Sequence, residues 1–180
     1  MAAAEQLVTI TAVILGGLTT HLTNALTERS RKRHQLSTRW DDKKLDAYAS
    51  YVDRIRASIF LSVELYEHRT GVRQDERGES EIVAEMAEAG RLRGRTFERI
   101  MLLGGDEVVE AAHDLNAVTL EVDWQALGKI TGSLEEWRRR NRAAFRAINT
   151  FHEAARADLG VSGTTTGEQH PERDLLLPSP

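Results

Sequence analysis

The chain has 180 residues, with 24 Lys and Arg against 28 Asp and Glu for a formal net charge of -4, a mixed-sign balance that suits a helical protein surface and argues against nucleic acid as a partner. It contains no cysteine, which excludes disulfides, thiol catalysis and thiolate metal ligands. The length suits one modest domain with a real core, together with an anchor and a tail.

The first element is Leu7 to Leu26, LVTITAVILGGLTTHLTNAL, an uncharged run bounded by Glu5 and by Glu28-Arg29-Ser30-Arg31-Lys32-Arg33. Twenty helical residues rise about 30 Å, the thickness of a bilayer's hydrocarbon, so residues 1–27 are expected to form a transmembrane anchor. Threonines, His21 and Asn24 dilute the run and keep the insertion margin small, which leaves a buried helix of a soluble oligomer as the competing reading. The flank before the run has no Lys or Arg and no A-x-A site follows it, which argues against a cleaved signal peptide. Arg29, Arg31, Lys32 and Arg33 fall in a basic juxtamembrane helix, 28–44, and place the amino terminus outside and the rest of the chain in the cytoplasm. Thr9, Ala12, Gly16, Thr19 and Thr23 recur at three- and four-residue steps, a small-residue stripe that lets helices in lipid approach closely and implies a homo-oligomer through this helix.

No Gly or Pro interrupts Leu18 to Thr70, so the anchor is expected to run into the first bundle helix. Leu45, Tyr48, Val52, Ile55, Ile59, Ser62 and Tyr66 alternate three- and four-residue steps, the coiled-coil-like spacing of a core-facing stripe. Residues 59–63 with Leu65 are apolar nearly all round, which predicts an enclosed end. His68 to Ser80 reads as a solvated connection. Ile82, Val83, Met86, Ala89, Phe97, Ile100 and Met101 form a second stripe, in which Gly90 and Gly94 cost helix stability and predict a close helix crossing. Leu103-Gly104-Gly105-Asp106 predicts a left-handed glycine stop followed by an aspartate cap. Val108, Val109, Ala112, Leu115, Thr119 and Val122 make the third stripe. Ser133-Leu134-Glu135-Glu136 matches a capping box, and Trp137, Asn141, Ala144, Ile148, Phe151, Ala155 and Leu159 make the fourth stripe, closed by Gly160. The bundle domain is therefore 45–160, and 161–180, rich in Gly, Thr, Pro and charge, is expected to be a disordered tail.

Chemistry is sparse. Glu110-Ala111-Ala112-His113 has the E-x-x-H spacing of carboxylate-bridged bundles, but Glu110 lies opposite the third stripe and no second copy exists, so no metal or cofactor is expected. Arg138, Arg139, Arg142 and Arg146 project away from the fourth stripe and could meet an anion or lipid headgroups. No phosphate loop, nucleophile elbow or zinc-helix motif is found, which gives no support to an enzyme.

Three features occur together: the apolar start with its basic exit, Arg39-Trp40-Asp41-Asp42-Lys43-Lys44-Leu45-Asp46-Ala47-Tyr48, and Leu102-Leu103-Gly104-Gly105-Asp106-Glu107-Val108-Val109-Glu110-Ala111-Ala112. Their order resembles a loose group of uncharacterised small membrane proteins from high-GC bacteria. The resemblance covers about the first two thirds of the chain and implies architecture only, since its motifs are packing and turn signals.

The sequence thus predicts an all-α protein in which a single N-terminal transmembrane helix continues into an antiparallel four-helix bundle. The expected role is a membrane-anchored cytoplasmic interaction or scaffold module whose partners are the bilayer, a second copy and an unidentified protein. The alternatives are a soluble oligomeric regulatory protein and, third, a bundle enzyme with a metal site.

Overall fold

In a computed structural model of the chain, residues 40–72 and 77–162 are described. The chain divides into two compact units, Met1–Asp42 and Lys43–Pro180. The apolar run 7–26, its Thr9-Ala12-Gly16-Thr19-Thr23 stripe, the basic group Arg29, Arg31, Lys32 and Arg33, and the tail from 163 lie outside the described residues. Among the described residues no helix is long and apolar enough to cross a membrane.

Those residues form four helices and no strand, so the fold is all-α. They are α1 over 40–70, α2 over Glu79–Leu103, α3 over Asp106–Ala126 and α4 over Leu134–Asp158. Three helix ends share one device. At Gly71, Gly128 and Gly160 the backbone turns left-handed (φ 75°, 71° and 68°), and the amide one residue later reaches back to the carbonyls of Glu67, Trp124 and Arg156. Glycine adopts that φ without the penalty a Cβ would bring, which is why these helices stop where they do. The start of α4 is set by the expected capping box: Ser133 Oγ accepts from the Glu136 amide at 3.2 Å and Glu136 Oε2 accepts from the Ser133 amide at 2.8 Å.

Side-chain contacts give the topology. Tyr48 meets Phe151 and Tyr66 stacks on Trp137, so α1 and α4 run antiparallel. Arg69 reaches Glu79 while Tyr51 meets Phe97, so α2 returns alongside α1. Tyr51 donates to the Ala112 carbonyl and Ser62 to Asp123, which makes α3 parallel to α1. The result is an up-down-up-down bundle whose core holds Tyr51, Ile55, Ile82, Leu115, Trp137 and Phe151. The α3 and α4 backbones approach far more closely than those of α2 and α3. Alanines explain the first pair: Ala111 and Ala144 are buried, and Ala147 and Ala154 pack against the core.

Several expectations need correction. Leu45 is 57% exposed, not inward, because a strict seven-residue repeat drifts about 20° per heptad against a straight helix, or about 60° from Tyr66 back to Leu45. Ala47 and Lys44 take the inward positions there instead. Residues 62–65 are enclosed on nearly every side, but Phe60 points outward. Met101 is 44% exposed, at a helix flank that α3 does not cover. The expected connection 68–80 is shorter, since α1 continues to 70 and α2 begins at Glu79. Gly104 and Gly105 are extended rather than left-handed, and Gly105, not Asp106, is the α3 N-cap, a residue with no side chain to supply a cap bond. No close crossing occurs at Gly90 or Gly94, where an added Cβ would meet nothing within 4 Å.

Gly90→Ala and Gly94→Ala should each stabilise the fold by about 0.5–1 kcal/mol, because the helix gains propensity and no neighbour has to move. Gly105→Ala should destabilise it, since its Cβ would lie 2.7 Å from Asp158 Oδ1. Thermal melts of the three variants should separate the first two upward and the third downward.

Candidate functional site

The polar group most deeply set in the bundle is a four-residue network. Arg93 on α2 is 5% exposed, and its Nη1 donates to Asp123 Oδ2 on α3 and to Ser58 Oγ on α1, both at 2.8 Å. Ser62 Oγ donates to the other Asp123 oxygen at 2.8 Å. Arg93 follows Ala89 by four residues and precedes Phe97 by four, so its phase is that of the α2 core stripe. An ion pair taken from water must be repaid by good geometry and further hydrogen bonds, and the two serines supply those bonds. Burial pushes the Tyr51 hydroxyl above its ordinary value, with the Arg93 charge opposing, so Tyr51 remains a donor to the Ala112 carbonyl. This network is closed on itself and offers no open coordination or reactive geometry; it joins α1, α2 and α3.

Two clasps hold the ends. Near Lys43, Asp158 Oδ2 at the close of α4 accepts from Lys44 Nζ at 2.8 Å and Tyr48 Oη at 2.5 Å, and the carboxylate also takes the Gly105 amide. An α4 side chain therefore caps α3, the task that Asp106 was expected to perform. Burial alone would raise the Asp158 pKa. The bonds from Lys44 and Tyr48, the Lys44 charge and the Gly105 amide outweigh it and hold the group below its ordinary value. At the opposite end, Arg69 Nη1 donates to the Ala126 carbonyl at 2.7 Å and Nη2 to Glu79 at 2.7 Å. Arg77 bonds the buried Glu64 at 2.9 Å and also pairs with Glu81 and Glu85.

The surface expected to meet anions is the outer face of α4. Arg139 and Arg146 are exposed, and Arg138 and Arg142 are half-buried. Arg139 lies 3.7 Å from Glu136. Arg140, on the opposite flank, turns toward α3, bonding Gln125 at 2.5 Å with Glu121 at 3.8 Å. The E-x-x-H pair faces outward: Glu110 and His113 are exposed, and the His113 ring packs edge-on against Phe97. Among the described residues no group of three or more His, Cys, Asp and Glu is placed to hold a metal ion.

No protein-family model matches the chain, and neither a curated protein nor a solved structure matches it significantly. The resemblance to small bacterial membrane proteins gains no support from these comparisons.

Sequence reading missed Arg93, Asp123 and Asp158 as organising residues, and it placed Phe60 in an enclosed stretch. Arg93 had a signal, its core phase; Asp158 had none, since its partners lie far off in sequence.

Two measurements probe these groups. Arg93→Ala or Asp123→Ala should each cost about 3–5 kcal/mol in urea unfolding by leaving a buried charge unpaired, whereas Arg93→Met with Asp123→Leu should cost far less than the sum. For Asp158 the folded pKa is depressed, so its contribution is full above the unfolded value and is lost as pH falls through the folded one. The stability gap between the parent and Asp158→Asn should thus be widest near neutral pH and shrink below about pH 4.

Proposed function

We propose that the protein is a membrane-anchored interaction module: residues 7–26 span the bilayer, the amino terminus lies outside, and the four-helix bundle works in the cytoplasm. The observation that carries this reading is the uncharged run of bilayer length followed directly by Arg29, Arg31, Lys32 and Arg33. The bundle fits the role because its buried polar groups are spent on joining helices, as at Arg93 and Asp158. The small-residue stripe through Gly16 adds self-association within the membrane.

Fractionation and labelling test it. The full-length chain should stay with membranes after an alkaline wash; recovery in the high-speed supernatant without detergent would refute the anchor. The absence of native cysteine lets single sites report topology: Ala3→Cys should react with an impermeant thiol reagent in intact cells, and Gly71→Cys only after permeabilisation. Gly16→Ile should weaken cross-linking between copies, while Gly17→Ile, off the stripe, should not.

A further inference from the structure

We infer that the bundle binds one internal water molecule on the inward face of α4, where it accepts from the Trp137 indole N–H and donates to the side-chain carbonyl of Asn141. The inference goes beyond the membrane reading and does not depend on it.

Two neighbouring core side chains each carry a polar atom that the fold leaves unsatisfied. Trp137 is 0% exposed and Asn141 3%, and among the described residues Trp137 Nε1 and Asn141 Oδ1 have no hydrogen-bond partner. Asn141 Nδ2 donates to the Trp137 carbonyl at 3.0 Å. That bond fixes the amide, since exchanging its nitrogen and oxygen would set two oxygens against each other, so Oδ1 is an acceptor in need of a donor. The Trp137 ring lies flat on Tyr66, with centroids 4.1 Å apart and planes 6° from parallel. The indole N–H points along the ring plane, so its acceptor must come from the ring edge and not from the stacked Tyr66 face.

Buried polar groups are nearly always hydrogen-bonded, to protein or to ordered water, because a dry one loses its hydration and gains nothing in return. Here one donor and one acceptor stand four residues apart on the same helix face. Side chains at that spacing have Cβ atoms about 5–6 Å apart, and a water making a bond of about 2.8–2.9 Å to each side spans about the same distance.

The two atoms also select the ligand. An indole N–H repels a cation and an amide oxygen repels an anion, so an ion of either sign is opposed from one side. A neutral molecule that accepts once and donates once satisfies both. The near-complete burial of both side chains favours the smallest such molecule, and two polar partners are enough to hold a buried water.

Register gives the site its place. Tyr66 meets Trp137, so Ser62, one turn earlier on α1, lies level with Asn141, one turn later on the antiparallel α4. Arg140 reaches both Gln125 and Glu121 on α3, so Asn141 beside it lies level with Val122 and Asp123. Ser62 and Asp123 are the α1 and α3 members of the Arg93 network. All four helices therefore bring polar groups to one cross-section of the core, and α4 does so through Asn141 and its water.

NMR of the isotope-labelled full-length chain in neutral detergent tests the site. Trp40→Phe and Trp124→Phe leave Trp137 as the single indole, and a rotating-frame experiment separates a bound water from proton exchange by the sign of the cross-peak. A cross-peak of direct contact between the Trp137 indole proton and water is expected. Asn141→Leu, which replaces the acceptor by an apolar group of similar size, should abolish it, with a melting curve confirming that the variant is folded. Tyr66→Phe should leave it in place, which shows that no exchanging phenol hydroxyl imitates the water. The spectrum before either core substitution already decides the matter if Asn141→Leu does not fold: no water cross-peak, or one with the sign of exchange alone, overturns the inference. Survival of the peak in folded Asn141→Leu, or its loss in folded Tyr66→Phe, overturns it equally.

Discussion

The bundle depends on where the Arg93 guanidinium can go. An arginine in the core phase of α2 must reach a carboxylate, since an unpaired buried charge costs several kcal/mol (roughly 3–5 when one partner of a buried pair is removed). Asp123 on α3 and Ser58 and Ser62 on α1 meet that demand together. Three helices are thereby held in one mutual register, because sliding any of them by a turn would strand the charge. The same side chain occupies space between α2 and α3, which accounts for their looser approach compared with the alanine-lined contact of α3 with α4. Gly90 and Gly94 stand clear on either side of it, small residues without a helix to admit.

Around this pair the ends of the bundle are closed by long-range polar contacts rather than by each helix's own caps. Asp158 finishes α4 and caps α3 while receiving Lys44 and Tyr48 from α1. Arg69 finishes α1, covers a carbonyl at the end of α3 and holds the first residue of α2. These links cross the loops, so neighbouring helices are tied at both ends as well as at the centre.

How much of this was legible in the sequence depends on the range of the cause. Local causes were readable: the Ser133 capping box, the glycine stop at 160, and the stripes of α3 and α4 all appear as expected. The errors arose where a regular pattern was extended too far or a charge was assumed to face water. A seven-residue repeat placed Leu45 inward because its drift against 3.6 residues per turn was ignored. Arg93 has the phase of the core stripe, but its charge signals a solvated position until the fold brings Asp123 to it. Asp158 could not have been found, since its meaning comes from Lys44, Tyr48 and Gly105, which only the folded chain brings near. Of the candidate surface, the α4 arginines were legible as a group. That Phe60 faces outward, next to the buried Ile59, appears only in the folded chain.

The register of α4 against α3 also separates two kinds of arginine that composition alone treats as one cluster. Arg140 is spent inside the fold, bonded to Gln125 and held near Glu121 on α3, whereas Arg138 and Arg142 fall on the opposite flank of the same helix. The fold thus divides its labour by helix flank: the inward flanks carry Arg93 and the alanines that assemble the bundle, and the outer flanks of α1 and α4 carry charge together with the exposed Phe60 ring.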